Sequence, residues 1–121
     1  MVTTPQKKNS GNPYNCPLTA AVDKIGGRWK PIILFYLPNG NKRFGTLETI
    51  VPMISKKVLS QQLKELAEDG LIVRKQFDEV PLRVEYSLTD FGKSVLPILN
   101  KICEWGKQFV DNRQPMSTVI V

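Results

Sequence analysis

The chain has 121 residues, 41% of them hydrophobic and 23% charged, which suits one globular domain with one core. Lysine and arginine total 17 against 11 acids, and the net charge of +6 favours a polyanionic partner without separating DNA from RNA or an anionic membrane. There is no histidine, and the two cysteines, Cys16 and Cys103, have no zinc-ligand spacing, so no metal, cofactor or catalytic centre is expected.

No apolar run approaches the roughly 20 residues of a membrane helix. Residues 1–15 lack the apolar stretch of a secretory signal and read as a flexible N-terminal arm. A cytoplasmic protein that contacts no membrane is the expectation, with cysteines kept as thiols.

Residues 16–25 (CPLTAAVDKI) turn helical, with Pro17 suited to the first turn and Leu18, Ala21, Val22 and Ile25 at helical spacing. Gly26-Gly27 interrupts. A second helix is expected from about Arg28 through WKPIILFYL, apolar on most sides and therefore central to the core. Pro38-Asn39-Gly40 ends it. A short helix over 43–50 (RFGTLETI) follows, and Pro52 prevents its smooth continuation. Ser55 can cap the next helix, 56–69, and Gly70 can take the left-handed turn at its end.

The period then changes. Residues 71–77 and 82–88 read as two strands joined by Asp78-Glu79-Val80-Pro81. In the second, Leu82, Val84, Tyr86 and Leu88 alternate with Arg83, Glu85 and Ser87. Thr89 can cap a last helix over 90–110, kinked at Pro97, and residues 111–121 read as a tail. The fold expected is mainly α with a small β-hairpin, one domain over 16–110.

Helix, short linker, helix and hairpin form the order of a winged helix-turn-helix. A single helix fills the major groove and its early residues reach base edges. In the 56–69 helix, Leu59, Leu63 and Leu66 should face the core. Lys57, Ser60, Gln61 and Lys64 share another face, with Ser55 and Lys56 at its start, and that face holds no carboxylate. Gln61 can bond adenine bidentately and Ser60 can bond several bases, while the lysines suit phosphates. Arg43 can reach the backbone from the preceding helix. Lys75 and Arg83 are candidates on the hairpin, where ordinary strand solubility explains them equally well.

The last helix carries two apolar stripes. Phe91, Val95, Ile98, Ile102, Trp105 and Phe109 form one; Leu96, Leu99, Cys103 and Val110 form the other. A helix on the surface of a monomer needs one stripe. The second is assigned to a partner copy, together with Leu18 and Val22 of the first helix. Deeper burial within the monomer is the competing explanation.

The segments CPLTAAVDKIGGRWKPIILFYL, RFGTLETIVPMISKKVLSQQLKELAEDGLI, EVPLRVEYSLTDFGKSVLPIL and CEWG resemble HxlR-type regulators, in order and without obvious gaps from Cys16 to about Phe109. The resemblance implies a MarR-like winged-helix homodimer joined through its terminal helices. It implies binding to a partly palindromic double-stranded DNA operator, with ISKKVLSQQL as the recognition helix and EVP as the wing loop.

A cysteine before the first helix recurs in that family, and Cys16 matches it. The resemblance therefore admits an oxidant, electrophile or small-molecule signal read at Cys16. A positive helix end favours a thiolate there, whereas a small apolar residue packed at an interface remains the plain reading of both cysteines. The competing function is a winged helix that contacts protein or RNA and shows no sequence-specific DNA binding.

Overall fold

The computed structural model describes residues 15–38 and 40–110; nearly all of the expected arm and the whole tail lie outside the described residues. Helix α1 (Pro17–Ile25) has Cys16 at its cap and Pro17 in its first turn, where a missing N–H costs nothing. Helix α2 (Lys30–Tyr36) starts slightly later than its apolar run suggests and again places a proline, Pro31, in its first turn. Ile33 and Leu34 are fully enclosed, so α2 is the central helix of the core.

Strand β1 (Lys42–Arg43), helix α3 (Phe44–Ile50) and helix α4 (Lys56–Glu68) follow, then strands β2 (Ile72–Phe77) and β3 (Arg83–Leu88). The Ser55 hydroxyl accepts a hydrogen bond from the Val58 N–H at 3.1 Å, capping α4. Gly70 ends that helix at φ +77°, a left-handed conformation that glycine adopts without steric cost. Leu59, Leu63 and Leu66 of α4 are all buried, as their spacing predicts, and meet Ile33, Leu34, Leu37, Leu47 and Val51 in one cluster.

The sheet has three antiparallel strands in the order β1-β3-β2. β1 is an addition to the expected hairpin: two residues give no readable period, and only pairing of Lys42 with Tyr86 and Arg43 with Glu85 defines it. In the hairpin Ile72 lies opposite Leu88 and Arg74 opposite Tyr86, which puts these four on the face that meets the helices. Phe77 and Arg83 pair on the other face.

The terminal helix differs from expectation. It is broken into α5 (Asp90–Lys93), capped by the Thr89 hydroxyl, and α6 (Leu96–Gly106), followed by a 3-10 turn at Lys107–Phe109. Pro97 does not kink a continuous helix; it sits in the first turn of a new one. Its two apolar stripes do not divide as expected: Val95 of the first is buried in the core, and Cys103 and Val110 of the second are half-buried. Leu99, assigned to a partner surface, is 5% exposed and belongs to the core, and Leu96 packs against that core. Ile98, Ile102, Trp105 and Phe109 are instead more than half exposed. Both stripes are equally apolar, so composition could not orient them; the turn at Ser94 and Val95 re-aims α6 onto α2.

Gly92 is required where α5 crosses the start of β2. A Cβ there would overlap the Leu71 carbonyl oxygen. That same carbonyl accepts from the Thr89 backbone N–H at 3.1 Å, so the close approach is fixed by hydrogen bonding. No helix among the described residues is long and apolar enough to cross a membrane.

Candidate nucleic-acid interface

Burial of the leucine stripe of α4 turns its opposite side outward. Ser55, Lys56, Lys57, Ser60, Gln61 and Lys64 are all exposed, so the residues singled out for nucleic-acid contact share one open helical surface. The surface is not bordered only by cations and amides. Glu65, one turn beyond Gln61, accepts from the Gln61 Nε2 at 2.7 Å, which corrects the acid-free description of this side. Lys30 of α2 closes the group, with its Nζ 2.7 Å from the other Glu65 oxygen. The Gln61 amide and then the Lys30 ammonium hold the Glu65 carboxyl below the ordinary carboxylate range, so it stays ionised and compensated.

A groove of about 400 Å³ runs between α4 and the sheet, lined by Ser60, Lys64 and Glu68 on one wall and Arg74 and Tyr86 on the other. Arg74 is exposed, and among the described residues its side chain makes only a long 3.5 Å hydrogen bond to Gln76. It makes no ion pair among the described residues, so its charge is available to a ligand phosphate. Sequence reasoning passed over Arg74 because β2 lacks clean alternation. The signal was in the register: Arg74 stands opposite Tyr86, and Tyr86 belongs to the alternating apolar set of β3.

Arg83, chosen from the sequence as a wing contact, is committed elsewhere. Its guanidinium bonds Glu79 at 2.7 Å and Glu85 at 2.6 Å, and it stacks 3.8 Å from the centre of the Phe77 ring. Its cationic form is favoured first by Glu79 and then by Glu85. Glu79 is held below its ordinary value chiefly by Arg83, and Glu85 chiefly by the Asn41 amide and then by Arg83. Arg83 is thus a clamp across the hairpin and not a free cation. Lys75 is exposed beside the same ring, at 5.7 Å from its centre. Arg43 is exposed at the cap of α3.

The side chains assigned to a partner copy do not form one set. Leu18 and Val22 of α1 are 72% and 52% exposed, and α1 buries no residue. Cys103 and Val110 are half-buried. Cys103 lines a shallow apolar groove with Pro31, Ile32 and Phe35 of α2 and Leu99 and Ile102 of α6. The Trp105 and Phe109 rings meet edge to face at 5.1 Å on the exposed side. The Cys16 thiol is held below its ordinary value by the Thr19 backbone N–H and hydroxyl and then by the Leu18 N–H. These are first-turn groups of α1, so the helix terminus favours the thiolate as its geometry implies.

Residues 24–114 match the model of the HxlR-like helix-turn-helix family. An uncharacterised HTH-type transcriptional regulator of Methanothermobacter thermautotrophicus is 45% identical over 101 residues, covering 84% of this chain and 77% of its own. Among solved structures, the oxidised form of the redox regulator HypR superposes with a TM-score of 0.75 at 42% identity, covering 79% of this chain and 99% of that one. A MarR-family regulator from Porphyromonas gingivalis W83 gives a TM-score of 0.76 at 40% identity, covering 80% and 95%. The fold expected from the sequence, a winged helix-turn-helix, is shared with these neighbours. The chain belongs to the HxlR-like helix-turn-helix family of DNA-binding transcriptional regulators.

Proposed function

We propose that this regulator acts in the cytoplasm as a homodimer that recognises a partly palindromic DNA operator through the exposed side of α4. The observation that carries the reading is the division of that helix. Three leucines are sealed in the core while Lys57, Ser60, Gln61 and Lys64 stand open together. Ser60 and Gln61 supply the hydrogen-bonding groups that distinguish base edges, and the lysines supply phosphate contacts. Arg43, Lys75 and Arg74 extend the cationic surface on either side of the helix.

Leu18 and Val22 of α1, with Ile98, Ile102, Trp105 and Phe109 of α6, offer the apolar surface for the second copy. Two α4 helices on one duplex make an inverted repeat the natural target. Cys16 is assigned to oxidant or electrophile sensing. Its lowered thiol value supports this, as does the likeness to HypR, known in an oxidised and a reduced form.

Selection of duplexes from a random pool, with the wild-type protein under reducing and oxidising conditions, tests the reading. Enrichment of one inverted repeat whose binding persists as salt rises is expected, and oxidation should alter its affinity only while Cys16 is present. Enrichment of no sequence, or binding that vanishes with salt for every sequence alike, overturns the operator reading. An oxidation response unchanged in Cys16→Ser removes the sensing assignment.

A further inference from the structure

Gln61 is an exposed side chain on a helix face, and nothing in its own residue type fixes which end of its amide meets a base. Its carbonyl oxygen only accepts and its nitrogen only donates, so turning the amide over reverses what it can read. Glu65 settles that choice. Its carboxylate can only accept, and it takes the Gln61 Nε2 at 2.7 Å; a reversed amide would set oxygen against oxygen. Glu65 is in turn anchored from a different helix. The Lys30 Nζ lies 2.7 Å from it, and the Lys30 side chain is only 12% exposed, so the anchor is fixed in the packing of α2 against α4.

We infer that Lys30 and Glu65 are positioning residues for base specificity: they hold the Gln61 amide with Oε1 presented as an acceptor, and neither of them touches DNA. The inference rests on the proposed role of α4 in reading the operator. An acceptor presented in the major groove selects a base that displays an amino group there, adenine through N6 or cytosine through N4. The second Gln61 N–H remains for adenine N7, which makes adenine the preferred partner. Because an ionised carboxylate and an ammonium make stronger hydrogen bonds than neutral groups, the orientation is held more firmly than a lone glutamine–glutamine contact would hold it.

The probe is the tightest duplex selected from a random pool by the wild-type protein, together with its full set of single-base variants. Affinities are measured for the full-length wild type, Gln61→Ala, Glu65→Gln, Lys30→Met and the double variant Gln61→Ala/Glu65→Gln. Gln61→Ala should flatten discrimination at one base position of each half-site, by about tenfold. Glu65→Gln and Lys30→Met should flatten the same position by at least about threefold and leave the slope of affinity against salt unchanged, since neither residue neutralises a phosphate.

In the double variant, Glu65→Gln should add nothing at that position. A purely structural role for the pair would lower the melting temperature and weaken binding to every duplex equally, with relative affinities intact; that outcome overturns the inference. Lys30→Met keeps the test open if Glu65→Gln folds poorly. If Gln61→Ala itself changes no base preference, the assignment of Gln61 as a reader fails, and the positioning role fails with it. If the wild type selects no sequence at all, it is the operator reading that has failed.

Discussion

Two arginines of the hairpin have opposite fates, decided by which side of a strand each occupies. Arg83 faces away from the helices, where Glu79, Glu85 and the Phe77 ring surround it. Arg74 faces α4 across the groove, which Glu68 also lines, and it forms no ion pair with a carboxylate among the described residues. A cation already matched by two carboxylates releases few counterions on binding DNA, whereas an unmatched one releases nearly its full share. Arg74→Gln should therefore reduce the slope of log affinity against log salt by about 0.9 per protomer, about 1.8 for a dimer on one duplex, while Arg83→Gln leaves that slope unchanged. Titration of binding across a salt series checks both.

Sequence reasoning reached Arg83 and missed Arg74 for one reason. β3 alternates cleanly and draws attention to its polar positions, whereas Ile72-Val73-Arg74-Lys75-Gln76-Phe77 does not reveal which of its charges face the helix. Glu65 is a similar case. The sequence reads its face as free of carboxylates, yet the spacing of four residues from Gln61 allows contact on one side of the helix.

At the scale of elements, the caps, turns and amphipathic stripes were legible because each depends on a few neighbouring residues. Ser55 and Thr89 cap as expected, Gly70 takes its left-handed turn, and the α4 leucines are buried. The short β1 and the aim of α6 were not legible, because both are fixed by contacts between segments distant in sequence. Gly92 belongs to the same class. The space it lacks is filled by Leu71, which arrives from another part of the chain.

Gly92→Ala should destabilise the fold by about 1–3 kcal/mol, since the added carbon must displace backbone or strain it. Gly45, in α3, has nothing within 4 Å of an added Cβ. Gly45→Ala should be neutral or stabilising by up to about 1 kcal/mol, through the lower entropy of the unfolded chain. Denaturant unfolding of the two variants beside the wild type separates these outcomes, and equal losses would refute the crowding argument.

Over the whole molecule, among the described residues, the first and last helices carry many exposed apolar side chains, and α4 with β2 carries many exposed cations. Phe91, Ile98, Ile102, Trp105 and Phe109 are all more than half exposed, as are Leu18 and Val22 of α1. This much exposed apolar surface suits an interaction face, and under the proposed function its occupant is a second copy of the chain. The sequence assigned a partner surface to Leu96, Leu99, Cys103 and Val110; the packed fold encloses Leu99 in the core and leaves Ile98, Ile102, Trp105 and Phe109 open, which only contacts between distant segments could decide.

The pairing of copies and the reading of DNA by α4 meet in a single measurement. Hydroxyl-radical footprinting of the selected duplex, with the wild type and with Ile98→Glu on the exposed α6 face, is predicted to give two protected patches related by twofold symmetry. Their centres should lie one DNA turn of about 10–10.5 base pairs apart, or a multiple of it, and both patches should fade together in Ile98→Glu. A single patch, protection without symmetry, or an Ile98→Glu footprint identical to wild type would contradict the account.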